Sequence, residues 1–295
     1  NGNVFADARW HAAATAIIAL LGASNESAIA QAYPSKPIRF IVASQPGGIA
    51  DLTPRLLVPR LQEGLGQPIV IENRPGGGIV SGGETVAKAP PDGYTLLSAT
   101  PQVAIVQSMV KELSFDPRRD LAPVSLIGIV PNVLLIGADR QQKSLVELIT
   151  YAKANPGKLN YSSTGAGTSV HLSAELFRHV SGINLVHVPY KGTAQALQDF
   201  FAGRLMMMFY PPSGVLMDRI KKGEIRPLAA MSEKRLANLP DVPTFEELGV
   251  GNLGVSGWGG FSGPAKLPRP IVQRINVAVN KVIARPEVSK ALDSM

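Results

Sequence analysis

The 295 residues include no cysteine, which excludes disulfide bridging and thiolate chemistry. Aromatic residues are scarce at 6%, and basic residues fall in pairs such as Arg118-Arg119, Lys221-Lys222 and Lys234-Arg235 without a longer block. A surface that interleaves cations with aromatic platforms is therefore missing, and nucleic acid is not an expected partner. The chain also lacks a GxxxxGK[ST] phosphate loop and a GxSxG nucleophile turn. Two glycine-rich stretches, Gly76 to Ser81 and Gly165 to Val170, both miss the third glycine of a dinucleotide fingerprint. The four histidines, His11, His171, His179 and His187, have neither HExxH spacing nor an acid cluster beside them. No metal, cofactor or catalytic site is expected. Packed structural histidine is the preferred reading, with His171 set apart because it follows a glycine turn.

What is present describes a globular chain: 45% hydrophobic and 17% charged residues. Its length allows two domains of ordinary size. A net charge of +7, spread over dispersed side chains, suits a small anionic ligand. At the N-terminus, Arg9 precedes the small and apolar run His11 to Ala23, and Ala30-Gln31-Ala32 offers small residues for cleavage. This layout reads as a secretory signal peptide over 1–32, too short for a stable membrane span. An amphipathic or disordered tail is the alternative.

From Tyr33 onward, apolar strand patterns alternate with amphipathic helix patterns, which implies α/β architecture with mostly parallel sheets and helices on both faces. Strands are expected at 38–42, 69–72, 95–98, 133–136, 159–162, 185–188, 205–209 and 227–231. Helices are expected at 52–65, 80–87, 145–154, 170–180, 194–202, 214–221 and 271–284. Ser144 with Glu147 forms a capping box. Two crossings between lobes are expected, one near Val130-Pro131-Asn132 and one in the glycine-rich, hinge-like stretch Gly254 to Pro264. The first lobe then comprises 33–131 and 257–295, and the second 132–256. Two crossings between two α/β lobes describe a clamshell.

Two turns stand out. In Ile41 to Leu57 a buried strand is followed by Pro46-Gly47-Gly48 and then a helix starting near Asp51, with Leu52, Leu56 and Leu57 on one face. Glycines uncover the backbone amides, and the helix start adds unpaired N–H groups and its positive dipole end. That combination is an anion seat. Tyr161 to Leu172 repeats the design, with Thr164, Gly165, Ala166, Gly167, Thr168 and Ser169 supplying hydroxyls around a glycine turn. Tyr190-Lys191-Gly192 and the run Met206 to Tyr210 end at the same sheet edge, where open α/β sheets bind ligands. In isolation each turn also reads as a plain strand-to-helix connection.

Together these residues resemble the Bug family, the solute receptors of tripartite tricarboxylate transporters. The resemblance covers the chain from Tyr33-Pro34 to its end. Its anchors are Lys36-Pro37-Ile38, Pro46-Gly47-Gly48-x-x-Asp51, Glu72 to Gly76, Pro91 to Leu96, Ser169-x-His171-Leu172, Pro189 to Gly192 and Leu239 to Thr244. It implies a two-lobed periplasmic binding fold that closes on a small organic carboxylate and delivers it to a membrane permease, the protein being a monomer and not an enzyme. Carried over to this sequence, the ligand contacts are Pro46, Gly47, Gly48 and Asp51 in one lobe and residues 164–169 in the other. Tyr190, Gly192 and Tyr210 complete the far side. A receptor serving a signalling partner is one alternative, and a hydrolase or transferase with His171 and Ser169 as its candidate pair is another. The ligand class implied is a di- or tricarboxylate, an aromatic acid or a related anion; relatives often carry acids where this chain has Met206 and Tyr210, which favours a carboxylate without an amine, possibly aromatic, over an amino acid. Pro264 to Pro268 departs from the family's Pro-Ala-Gly-Thr-Pro, and a C-terminal truncation at Met295 is expected from the apparent helix there.

Overall fold

A computed structural model of the chain describes residues 33–77, 79–212 and 214–294; the expected signal peptide lies outside the described residues. The first sheet begins with β1 (Ile38–Val42), β2 (Ile69–Asn73) and β3 (Thr95–Ala99), separated by α1 (Ile49–Leu65) and α2 (Val80–Ala87). After α3 (Gln102–Met109) and the short α4 (Pro117–Asp120) comes the long strand β4 (Leu121–Pro131). The second sheet takes β5 (Val133–Gly137), β6 (Leu159–Ser163), β7 (Leu185–Pro189), β8 (Met207–Tyr210) and β9 (Ile225–Ala230). Its helices are α5 (Leu145–Ala154), α6 (Ser169–Ser181), α7 (Thr193–Phe201) and α8 (Val215–Lys221). The chain then returns to the first sheet through β10 (Ser256–Pro264) and closes with α9 (Arg269–Ile283) and α10 (Pro286–Asp293).

The two sheets share one plan, β2-β1-β3-β10-β4 and β7-β6-β8-β5-β9. In the first, β10 alone is reversed, pairing antiparallel with both β3 and β4. In the second, β5 is reversed between β8 and β9. Both sheets are therefore mixed: one strand in each runs against the others, and the pairings divide evenly between parallel and antiparallel, so the sheets are less parallel than the alternating pattern predicts. Parallel strands need covered faces, and both faces are covered. Along β1, Phe40 packs with Leu57, Leu61, Phe261 and Ile275, while Ile41 points to Leu97, Val106 and Phe115. The second sheet does the same, with Leu134, Tyr161, Phe177 and Phe209 on one side and Val133, Met208 and Phe200 on the other.

Three details differ from expectation. Helix α1 starts at Ile49, and its buried face carries Asp51, Pro54, Leu57, Val58, Leu61 and Leu65, whereas Leu52 is exposed. The polar side chain of Asp51 takes the place in the buried stripe that the hydrophobic pattern gives to Leu52. Helices α3 and α4 were not anticipated, since α3 buries only Val106 and so shows little helical periodicity. The glycine-rich stretch expected as the second crossing contains a nine-residue strand, β10, that the pattern did not show. Its first residues, Ser256 and Gly257, pair with Pro131 and Val130, so the two crossings run side by side. Beside them Asn132, fully buried, donates to Ser173 Oγ at 2.9 Å.

Close packing fixes Gly93. Its φ is +82°, Tyr33 donates its hydroxyl to the Gly93 carbonyl at 2.7 Å, and an added Cβ would lie 2.6 Å from Ile271 Cγ2. Gly93→Ala is expected to cost about 2 kcal/mol or more through overpacking and the left-handed backbone. Urea unfolding checks this, and an unchanged midpoint would contradict the packing described.

Candidate functional site

The first glycine turn joins β1 to α1, and its geometry comes from one acid. Asp51 is 1% exposed. Its Oδ2 accepts from the Gly47 N–H and from Arg55 Nε, both at 2.9 Å, and its Oδ1 accepts from Asn73 Nδ2 at 2.8 Å. Asn73 also donates to the Ser44 carbonyl at 3.1 Å and accepts from Arg55 at 2.8 Å. Burial pushes the Asp51 carboxyl up, but the hydrogen bonds from Arg55, Gly47 and Asn73 outweigh it and hold it below the ordinary carboxylate range. A carboxylate in a first helical turn also meets the positive end of the dipole. Gly47, at φ +89°, takes the left-handed conformation that brings its N–H onto that carboxylate. Pro46, just before it, is exposed. The amides of Gly48, Ile49 and Ala50 have no acceptor among the described residues.

The second turn joins β6 to α6 and is held without an ion pair. Thr168 caps α6, accepting from the His171 N–H at 3.4 Å and donating to the Gly165 carbonyl at 2.8 Å. Ser163 Oγ accepts from the Gly165 N–H at 3.2 Å and meets His187 Nε2 at 2.6 Å. The Gly167 N–H donates to His171 Nδ1 at 3.3 Å, which requires that nitrogen to be unprotonated. The two imidazoles lie 4.7 Å apart, and Tyr161 stacks on His187 at 4.9 Å. Burial lowers both histidines, His171 lowers His187 further, and Glu175 opposes both effects. Tyr161 donates to Glu175 at 2.7 Å, and Arg178 binds the same carboxylate. The pairing of His171 with His187 across α6 and β7 was not legible in the sequence, where the two are far apart.

This second turn touches the other lobe. Gln102 of α3 donates to the Ala166 carbonyl at 3.3 Å. Gly167, at φ +78°, leaves so little room that a Cβ there would lie 2.7 Å from Met109 Sδ and 3.0 Å from Ile105 Cδ1. Ser169 lies against Gly257 on β10, its Oγ 3.2 Å from where a Cβ would stand. Thr164 is half-buried at the start of the turn. Gln102, Ile105 and Met109 were missed because α3 itself was not read.

Of the remaining predicted residues, Tyr190 and Tyr210 have their phenols committed inside the second lobe. Tyr190 donates to Asp199 at 2.8 Å, and burial followed by that carboxylate pushes it up to about 12. Tyr210 lies 2.9 Å from Thr193 Oγ1, and burial raises its phenol. Gly192 begins α7 with an extended backbone. A cavity of about 710 Å³ is lined by Gln45 and Gly76 from the first lobe and Lys191, Gly192, Ala194 and Gln195 from the second. Ser169 and His171 form no nucleophile and base pair, because His171 Nδ1 is turned to Gly167. Among the described residues there is no cluster of three metal-ligating side chains and no helix long and apolar enough to cross a membrane.

Two α/β lobes of matching sheet topology, joined by adjacent crossings, define a two-lobed periplasmic-binding-protein fold. Residues 54–295 match the family model described as tripartite tricarboxylate transporter family receptor. A UPF0065 protein of Bordetella pertussis is 40% identical over 273 residues, covering 92% of this chain and 83% of the relative. The solved structure of periplasmic binding protein BugD superposes with a TM-score of 0.77 at 29% identity, covering 89% of this chain and 87% of that one. That of R. palustris Rpa4515 with adipate gives 0.75 at 33%, covering 88% and 87%. The chain belongs to the tripartite tricarboxylate transporter family of receptors, and it is a receptor, not an enzyme.

The histidine pair has a consequence for stability. Both groups hold protons less readily in the folded protein than the ordinary value near 6.5. As pH falls below that value the unfolded chain takes up protons that the folded state resists, so stability drops; above it the pair adds no slope. Urea unfolding between about pH 7.5 and about pH 5.5 is expected to show a smaller loss in a His171→Gln, His187→Gln variant than in the wild type. An identical loss in both would contradict the neutral pair.

Proposed function

We propose that the chain captures a small organic carboxylate between its two glycine turns and delivers it to the membrane permease of a tripartite transporter. The observation that carries this reading is the open row of amides at Gly48, Ile49 and Ala50, held in place by Asp51 from behind. Pro46, Gly47 and Gly48 form the rim of that seat, and Asp51 serves it as an anchor. Thr164, Gly165, Ala166, Gly167, Thr168 and Ser169 supply the opposing turn. Gly192 borders the ligand, while Tyr190 and Tyr210 shape the wall through their bonds to Asp199 and Thr193. The lobes are residues 33–131 with 257–295, and 132–256. The protein works in the periplasm as a monomer, exported by the segment 1–32.

The similarity to a protein solved with adipate supports the ligand class. Among the described residues no acidic side chain lines the cavity between the lobes, which suits a carboxylate without an amine. Closure follows from contacts that only the closed state makes to both turns.

Calorimetry with a panel of organic acids, sugars and nucleotides tests the proposal. Organic acids alone are expected to bind, and at a hundred times the dissociation constant to stabilise the fold by roughly 2.7 kcal/mol. Gly47→Val strains a backbone at φ +89°, and Gly167→Val drives a side chain into Met109. Each is expected to weaken acid binding at least about tenfold, or about 1.4 kcal/mol. Folded variants that both keep full affinity would place the ligand elsewhere.

A further inference from the structure

Helix α3 belongs to the first lobe, yet one of its stripes rests on the second. Val103, Val106 and Val110 pack it onto the first-lobe cluster that includes Ile41, Leu97 and Phe115. Gln102, Ile105 and Met109, spaced i, i+3 and i+7, form a second stripe beside that one. Gln102 donates to the Ala166 carbonyl at 3.3 Å. Ile105 and Met109 cover Gly167, leaving only 3.0 Å and 2.7 Å between a Cβ there and Ile105 Cδ1 and Met109 Sδ. Gly167 is buried beneath them, although its neighbour Ala166 in the same turn is exposed.

Every partner in this contact belongs to the chain itself: a side-chain amide, a backbone carbonyl, an aliphatic methyl and a thioether. No ligand atom is needed to make it. Both sides are anchored in their own lobes. Val106 seats α3 in the first core, while the turn is tied down by the Gly167 N–H on His171 Nδ1 and the Thr168 hydroxyl on the Gly165 carbonyl. A thioether on a flexible stem adapts to such a surface, and the glycine lets it approach the backbone. One hydrogen bond and one apolar cover are modest, but they shift populations between lobe arrangements that lie close in free energy. Apparent affinity rises with the fraction of molecules already in the competent arrangement.

We infer that α3 is a ligand-independent latch between the lobes, Gln102, Ile105 and Met109 holding the 164–169 turn against the first lobe in a fraction of the ligand-free molecules. The three are positioning residues: they act on affinity through the lobe arrangement and touch no ligand. The lobe contact stands on the geometry alone, and its effect on affinity rests on the carboxylate-capture reading.

The absence of cysteine from the chain makes the test direct. Val70→Cys on the first lobe and Val146→Cys on the second, both at exposed positions, accept spin labels at those two sites only. Electron–electron double resonance then measures the distance between the lobes in dialysed, ligand-free protein. The wild-type background is expected to show a population at the separation of this structure, which adipate increases. Adding Gln102→Ala with Met109→Ala, two side chains outside the buried core, is expected to reduce the ligand-free population at least about threefold. In calorimetry the same pair of substitutions is expected to weaken adipate and benzoate by one common factor of about three or more, since no ligand contact is lost. A distance distribution unchanged by the substitutions overturns the latch, as does a ligand-free wild type without that population. Unchanged affinities, or weakening confined to one acid, also overturn it, the latter by placing α3 against the ligand. Failure of every acid to bind the wild type overturns the carboxylate reading, while the ligand-free distances still decide the latch.

Discussion

The buried carboxylate of Asp51 is the constraint on which the shape of the first lobe's glycine turn depends. A charge so thoroughly removed from water is tolerated only when hydrogen bonds replace its hydration. Here Gly47, Arg55 and Asn73 supply them. The consequence runs outward. By occupying the Gly47 amide, Asp51 fixes the turn's shape and leaves the next three N–H groups without protein acceptors among the described residues. The same bonds explain why α1 buries a polar residue where the hydrophobic pattern places Leu52. On the proposed reading, an internal carboxylate thereby prepares a seat for an external one without occupying it.

The second lobe reaches a similar turn by different chemistry. Its glycines are tied by hydroxyls and by neutral imidazoles, Thr168 and Ser163 on one side and His171 and His187 on the other. Among the described residues no side-chain charge lies on the turn's own hydrogen bonds, and Glu175 is held at a remove by Tyr161 and Arg178. This turn also contacts α3 of the first lobe through Gln102, Ile105 and Met109. Motion between the lobes must therefore alter the environment of residues 164–169. The two crossings run side by side, Ser256 and Gly257 of β10 pairing with Pro131 and Val130 of β4.

Much of this was legible in the sequence. The alternation of apolar strands and amphipathic helices located every strand of the second sheet, although Leu205 precedes β8 and β9 begins two residues early. Ser144 and Glu147 make the expected cap, with the Glu147 N–H on Ser144 Oγ at 3.2 Å. Residues Ile271, Ile275, Val279 and Val282 form the buried face of α9 as their spacing requires. Contacts between residues distant in the chain were not legible. Asn73 holding Asp51, His171 meeting His187, and Met109 facing Gly167 are created by sheet order and lobe contact. Local periodicity carries no information about them. The strand in the stretch before Pro264 was not legible because glycine carries no strand signal, whereas here its small size admits β4 closely: a Cβ on Gly260 would lie 2.6 Å from the Ser125 carbonyl oxygen.

The most direct measurement is a crystal structure of the protein with a diacid bound. The account predicts one carboxylate within hydrogen-bonding distance of the Gly48, Ile49 and Ala50 amides, with the turn at 164–169 closing over it from the other lobe. A diacid seated away from both glycine turns, or touching one lobe alone, would contradict it.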